Sequence, residues 1–435
     1  MAVRIARSLV STGCVVARSR HGVDSLLYKT LSTSVPRRTN DFYRGFPLTT
    51  TLSEATTTHT SDSLPTYRVM DEGGVVIDPQ QDPKLSDEIL LRMYEQMVTL
   101  REMDEQLYKA QRMGLTSFYM MCSGEEGTHF GSAAALSLED PVYAQYREAG
   151  VLMWRGYTLD QFMNQCFSNR LEEGKGRQMP VHYGSKECNF QFISSSLATQ
   201  MPHAPGYAYG LKRAGKKNCV MCYFGDGSAQ EGDAHAAMNF AAVIKAPVIF
   251  FCRNNGYAIS TPVDDNYAGD GIVSRARGYG MEGIRVDGND VLAVYNVVQH
   301  ARRVAVEESR PVLIEAITLR MKSHSTSDEQ GRYQDMEEVQ QWKEKNCPVH
   351  RLGGYLQTKG LWEQSKDAAL KQSAAGEVKR AMMAARKEKK PHLNHMFTDV
   401  YDDLPPRLQK QQAEMKEMMD KYKEHYGPIL SKHES

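Results

Sequence analysis

Five short apolar runs, separated by longer stretches of helical period, restrict this chain more than any other feature. Val142 to Gln145, Cys219 to Phe224, Val248 to Cys252, Ile284 to Val286 and Val312 to Leu319 are candidate strands. Ala229 to Ile244 and Val291 to Glu308 are helical segments between them. A strand that is apolar along its whole length, rather than at alternate positions, is buried on both faces. Such strands alternating with helices predict an α/β fold, a parallel sheet flanked by helices.

The ends of the chain differ from this middle. Arg4, Arg7, Arg18, Arg20, Lys29, Arg37 and Arg38 face a single acid, Asp24, among Ser, Thr, Ala and Val. That basic, Ser-rich, acid-poor composition predicts a mitochondrial transit peptide over residues 1–45, and so a matrix location. Residues 46–85, mixed in Thr, Ser, Pro and Asp with one extended stretch from Tyr67 to Met70, read as an N-terminal arm lying off the core. Ser86 is placed to cap a helix with Asp87 and Glu88 at its positive end; Leu90, Met93, Met97, Leu100, Met103 and Leu107 then recur at helical spacing, and Gly114 stops it. The α/β domain is expected over 86–345 and a helical C-terminal region over 346–435, its last part broken by Pro391, Pro405 and Pro406. No internal repeat is visible.

Composition excludes several classes. With 53 basic and 53 acidic residues the net charge is zero, so nothing draws the chain to nucleic acid. No apolar run approaches the roughly 20 residues of a membrane span. Eight cysteines among 435 residues, at irregular spacing, do not form a disulfide framework. Cys219 and Cys222 have redox-motif spacing, but an offset of three on a strand sends them to opposite faces, so they read as core. His392 and His395 lack a second ligand pair for zinc.

Chemistry concentrates at two strand ends. The run Cys219 to Phe224 ends in Gly225-Asp226-Gly227, and after one helix the run Val248 to Cys252 ends in Arg253-Asn254-Asn255-Gly256-Tyr257. In open α/β sheets the carboxyl edge is where ligands bind. The two glycines let backbone come close to a ligand, and the following helix directs free amides at an anion, so a diphosphate suits this end. Asp226, the Asn255 amide oxygen and the Tyr257 carbonyl are the hard oxygen donors that Mg²⁺ takes. A lone Asp-Gly is usually a turn; the pairing across one βαβ unit makes the signal specific.

Gly225-Asp226-Gly227 with Asn254-Asn255 resembles the signature of thiamine-diphosphate enzymes. Gly124 to His129, Gln145 to Gly150, Gly174 to Gly184, Glu231 to His235, Arg253 to Pro262 and His324 to Asp328 resemble the alpha-subunit family of the branched-chain 2-oxo acid dehydrogenases, from about Tyr67 to the C-terminus. The resemblance implies that Asp226, Asn255 and Tyr257 hold Mg²⁺, with Gly227, Ser228 and Arg253 along the diphosphate and Gln145, Tyr146 and Arg147 on the cofactor. Ser194, Ser196, Thr199 and Gln200 match the family's K⁺ loop, which places Ser195 and Leu197 beside the thiamine; Ser196 stands where the family commonly has Pro. His324 is implied to be catalytic, a group titrating near neutral pH that exchanges protons with intermediates. Ser325 matches an inhibitory phosphorylation site, and the second such site is occupied by Asp335.

As partners the resemblance implies a beta subunit carrying an activating glutamate in an alpha2beta2 heterotetramer, a lipoyl-bearing acyltransferase core, and a regulatory kinase and phosphatase. The expected reaction is oxidative decarboxylation of branched-chain 2-oxo acids with acyl transfer to lipoamide. Two other readings are the pyruvate dehydrogenase alpha subunit, disfavoured by the Ser-Thr after His324, and a non-catalytic assembly subunit, disfavoured by intact Asp226, Asn255, Arg147 and His324.

Overall fold

In the computed structural model, residues 42–43, 46–56 and 63–434 are described. The basic segment that reads as a transit peptide lies almost wholly outside them. Residues 40–435 form one compact unit. The strands in chain order are β1 (Phe42–Tyr43), β2 (Phe46–Thr49), β3 (Thr66–Tyr67), β4 (Val142–Tyr143), β5 (Val220–Gly225), β6 (Val248–Asn254), β7 (Tyr257–Ala258), β8 (Thr261–Pro262), β9 (Glu282–Asp287) and β10 (Val312–Ile317). β7 and β8 make a separate hairpin. The others form a sheet in the order β1-β2-β3-β9-β10-β6-β5-β4, parallel except for β1 against β2.

The expected α/β architecture is observed, and burial explains it. Every residue of β6 and β10 is buried, as continuous apolar runs require. Met221, Tyr223, Ile249 and Phe251 pack into one core beneath the Asp87–Arg112 and Val291–Glu308 helices. Val220, Cys222, Phe224, Phe250 and Cys252 pack into the other, beneath Gln200–Arg213 and Gly232–Ile244. Cys219 and Cys222 fall on opposite faces, as the offset of three demands. The Asp87–Arg112 helix follows Ser86 and turns out through Gly114 at φ +69°, with Met93, Met97 and Met103 fully buried. Among the described residues no helix is long and apolar enough to cross a membrane.

Two local expectations change. The segment read as an arm adds β2 and β3 to the sheet and fully buries Tyr67, Val69 and Met70. What draws it in is Asp290. Its Oδ1 caps the Val291–Glu308 helix, accepting from Leu292 and Ala293 N–H (3.1 and 3.0 Å), while Oδ2 accepts from Val69 and Met70 N–H (2.8 and 2.6 Å). Beside it Asp287 pairs with Arg68 (2.8 Å) and Arg351 (2.6 Å). Arg68, Val69 and Met70 lie more than two hundred residues from these two acids along the chain, beyond any local pattern. The predicted Ala229–Ile244 helix also begins differently: a 3-10 turn at Ser228–Gln230 comes first, extended Glu231 interrupts, and the α-helix starts at Gly232.

Register sets the site. Gly225 pairs with Arg253, and Asn254 with Ile317, so β5, β6 and β10 end level. Asp226, Asn255 and Thr318 to Arg320 therefore leave the sheet side by side.

Asp290→Ala removes a helix cap and strands two buried backbone donors. Denaturant unfolding should register a loss of about 2–4 kcal/mol.

Candidate active site

A cavity of about 140 Å³ opens where β5, β6 and β10 end. It brings together Gln145, Tyr146, Arg147, Leu197, Asp226, Gly227, Ser228, Arg253, Asn255, Tyr257 and His324. Residues from five separated stretches of sequence thus meet around one space. Ser195 is not in the lining, and neither are Ser194, Ser196, Thr199 and Gln200.

Asp226 is the anomaly at its floor. The residue is 2% exposed, and its Oδ2 is buried with no hydrogen-bond partner. Burial, aided by the nearby Glu125 charge, pushes its pKa from 3.8 up to about 6; Arg320 and Arg253 oppose the shift. A buried carboxylate oxygen without a donor is costly unless a cation meets it. Asn255 lies across from it with Nδ2 donating to Glu125 Oε1 (2.9 Å), which directs the amide oxygen the other way, where it accepts from Tyr257 N–H (3.2 Å). These oxygens fit the donor set of a divalent cation.

Two buried glutamates, passed over by sequence reasoning, hold the walls. Glu148 Oε2 accepts from the N–H groups of Gln145 and Arg147 (3.0 Å each), and its Oε1 bonds Arg253 Nε (2.6 Å). Glu125 takes the other arm of Arg253. Burial alone would raise the Glu125 pKa, but Arg253 and Arg147 hold it below the usual carboxylate range. Arg253 is thus neither on the surface nor free: its fork is engaged by two carboxylates. Gln145 Oε1 accepts from Gly225 N–H and Ser228 Oγ (2.9 Å each), joining the end of β4 to the turn after β5.

Crowding explains two glycines. A Cβ on Gly227 would lie 3.0 Å from Ala258 Cβ, so the turn presses on the β7–β8 hairpin, whereas a Cβ on Gly225 would meet nothing closer than Gln145 Oε1 at 3.9 Å. Gly124, at φ +102°, passes so close to the Leu319 carbonyl that a Cβ would sit 2.1 Å from it. That contact seats Glu125 at the strand ends.

His324 is held by its neighbours rather than left in an open loop. Its N–H donates to Asp328 Oδ2 (2.6 Å), and its ring stands edge-on to Tyr146 at 6.0 Å. Arg147 Nη2 donates to the His324 carbonyl (2.9 Å) and to Nδ1 (3.1 Å). A guanidinium cannot accept, so Nδ1 must, and the imidazole proton resides on Nε2. Burial, then Arg147 and Arg320, push the ring's pKa down to about 2. This corrects the expectation of a group titrating near neutral pH: in this state His324 is a neutral donor. Arg320 was not singled out from sequence, although it follows a core strand just as Arg253 does. Its Nη2 donates to the Ile259 carbonyl (2.8 Å) and Tyr333 hydroxyl (2.6 Å), and it pairs with no carboxylate among the described contacts. Arg147 and Arg320 therefore make the mouth electropositive.

Three residues around this region hold left-handed backbone: Val181 (φ +66°), Ala198 (+63°) and Ile259 (+59°). For β-branched Val and Ile that is strained. His182, next to Val181, donates from Nδ1 to the Pro180 carbonyl (3.0 Å), so its Nε2 accepts from Ser195 Oγ (2.6 Å). The 194–200 loop closes on itself: Ser196 N–H donates to Ser194 Oγ (3.3 Å) and Thr199 Oγ1 to the Ser196 carbonyl (3.1 Å), while Gln200 Nε2 reaches the Tyr223 carbonyl (2.9 Å). Ser325 is half-buried and accepts from Ser327 N–H (3.3 Å); Asp335 caps a helix, accepting from Glu337 N–H (2.8 Å).

With this geometry in place, residues 94–394 match the family described as "Dehydrogenase E1 component". The chain belongs to that family. The human protein named 2-oxoisovalerate dehydrogenase subunit alpha, mitochondrial, is 52% identical over 363 residues, covering 83% of this chain and 82% of its own length. The Caenorhabditis elegans protein of that name is 53% identical over 369 residues, 85% of each chain. An Arabidopsis thaliana relative, 2-oxoisovalerate dehydrogenase subunit alpha 1, mitochondrial, is 48% identical over 368 residues, 85% of this chain and 78% of its own. The E1 component family is thiamine-diphosphate-dependent, which agrees with the donor set at the cavity floor.

Because folding favours protonated Asp226, the ligand-free chain loses stability as pH rises from about 4 to about 6. Asp226→Asn should abolish that slope and stabilise the ligand-free chain at pH 7 by about 1–3 kcal/mol. Mg²⁺-dependent thiamine diphosphate binding, followed by titration, should weaken about 100-fold or more in the same variant.

Proposed function

We propose that this chain is the alpha subunit of a mitochondrial branched-chain 2-oxo acid dehydrogenase. It oxidatively decarboxylates acids such as 3-methyl-2-oxobutanoate with thiamine diphosphate and passes the acyl group to lipoamide, in branched-chain amino acid catabolism. One observation carries the reading: a buried Asp226 oxygen without a partner faces the same space as the Asn255 amide, at the ends of adjacent strands and under Arg147 and Arg320. The names of the relatives, which match over most of both chains, support the branched-chain substrate over pyruvate. The retained site supports a catalytic rather than an assembly role.

The residues divide the work. Thiamine diphosphate, when bound, supplies the electron sink that decarboxylation of a 2-oxo acid requires. Asp226, Asn255 and the Tyr257 carbonyl would hold Mg²⁺, and the missing Cβ of Gly227 leaves backbone clearance. Gln145, Tyr146, Arg147, Leu197, Ser228 and Arg253 would line the cofactor, with Ser195 reaching it from the adjoining loop. Ser194, Ser196, Thr199 and Gln200 would hold a structural K⁺. Arg147 and Arg320 draw in anions, whether phosphate or the substrate carboxylate. His324 presents a hydrogen from Nε2 to an oxygen in the cavity, and an anion drawn in beside the two arginines would raise its pKa toward the range where it carries protons.

The surrounding assembly follows the same reading. The beta subunit supplies the activating glutamate within alpha2beta2, the acyltransferase core takes the acyl group, and residues 1–45 direct the chain to the matrix. The 86–345 stretch carries the cofactor, with 46–85 and 346–435 as flanking regions. A kinase and phosphatase act on Ser325, where about −1.5 to −2 charges of phosphate beside His324 would compete for Arg147.

The chain co-produced with its beta subunit should turn over 3-methyl-2-oxobutanoate with at least about tenfold higher kcat/KM than pyruvate, and alone it should be inactive; equal kcat/KM would reject the substrate assignment. His324→Ala should lower kcat about 10²–10⁴-fold while thiamine diphosphate affinity changes little; His324→Gln, which keeps an N–H donor, should lose less. Ser325→Glu should depress kcat/KM in steady-state assays, and wild-type rates in that variant would exclude a charge switch.

A further inference from the structure

One carboxylate on the buried face of the Asp87–Arg112 helix takes no part in the site above. Asp104 is 1% exposed and forms no ion pair among the described contacts. A carboxylate so far from water is costly unless donors meet it, and both of its donors come from one short segment. The Tyr119 hydroxyl donates to Oδ1 (2.8 Å) and the Cys122 N–H to Oδ2 (2.6 Å). Burial pushes the pKa from 3.8 up to about 7, against these two bonds and the nearby Arg147 charge. Residues 118–122 lie in neither helix nor strand, so the segment has no ladder of its own to fix it.

From behind, this segment reaches the reactive residues. Arg147 Nη1 donates to the Met121 carbonyl (2.8 Å), while Nη2 is the arm that meets His324. Cys122 Sγ–H donates to the Arg147 carbonyl (3.6 Å). Tyr119 N–H donates to Thr326 Oγ1 (3.3 Å), and Thr326 N–H donates back to the Tyr119 carbonyl (3.1 Å). Met321 N–H donates to the Ser123 carbonyl (3.0 Å). Residues 119–123 therefore strap down Arg147 and the chain on both sides of His324.

We propose that Asp104 is a positioning residue for the decarboxylation: by seating the 119–123 strap it holds the Arg147 guanidinium against His324, while standing outside the cofactor cavity itself. The inference rests on the reaction proposed above. Of the two bonds, only one is fixed in direction: the Cys122 main-chain N–H can only donate, whereas the Tyr119 hydroxyl can turn and accept. An Asp104→Asn side chain can therefore keep both, its oxygen on Cys122 and its amide N–H on Tyr119. Asp104→Leu, of similar size, keeps neither. A shift of about 1 Å imposed from a remote site can cost about 100-fold in rate.

The test uses the full chain assembled with its beta subunit, with kcat for 3-methyl-2-oxobutanoate expressed per thiamine-diphosphate-loaded site. Asp104→Leu should lower kcat about 10- to 100-fold with the KM for the 2-oxo acid changed less than about threefold, and Asp104→Asn should recover kcat to within about threefold of wild type. Hydrogen exchange, which needs no turnover, should speed up at least about tenfold at the Cys122 and Thr326 amides in Asp104→Leu and stay unchanged over β6. Thr326→Val removes the Oγ1 acceptor at the far end of the strap; alone it should lower kcat about threefold or more, which carries the test if Asp104→Leu does not fold, and combined with Asp104→Leu the losses should be less than additive. An inactive wild-type complex would overturn the reaction and this inference with it. In an active one, the role of Asp104 alone is overturned if Asp104→Leu keeps kcat, if Asp104→Asn loses as much as Asp104→Leu, if exchange rises equally over β6, or if Thr326→Val matches wild type.

Discussion

The active-site end of this molecule depends on one buried guanidinium. Arg253 ends β6 with Glu125 on one arm and Glu148 on the other, all three essentially removed from solvent. Such a pair contributes little net stability, because desolvation offsets most of the Coulomb gain. What it fixes is position. Glu148 also holds the N–H groups of Gln145 and Arg147, and Glu125 also holds Asn255, so one charge cluster sets three walls of the cavity. Removing either acid would leave a buried cation uncompensated, which costs far more than the pair contributes.

Charge then divides the cavity into a floor and a mouth. The floor has an Asp226 oxygen that nothing in the chain satisfies; the mouth has Arg147 and Arg320 crowding a neutral imidazole. Each is unfavourable alone, and each is relieved by a ligand of opposite sign. A cation below and an anion above, joined in one metal-bound diphosphate, would settle both together. The left-handed Ile259, which lines the same space, is a further sign that local comfort is sacrificed where ligands act.

Much of this was legible from residue pattern. Continuous apolar runs gave strands close to those observed, Val291–Glu308 matches residue for residue, and the tips after β5 and β6 named Asp226 and Asn255. Two features escaped. Asp290, which draws β2 and β3 into the sheet, reads locally as a helix cap and nothing more. Arg320 carries no motif of its own: only the level ends of three strands show that it faces the ligand space.

Periodicity and residue type therefore dictated the layered α/β architecture and which loops carry the chemistry, since both follow from local backbone and burial demands. The state of the chemical groups was decided by the folded chain. His324 is neutral with its proton on Nε2 because Arg147, 177 residues earlier, donates to Nδ1 in a buried space. Protonation depends on dielectric and on charges within a few ångströms, and those neighbours exist only once distant segments have come together.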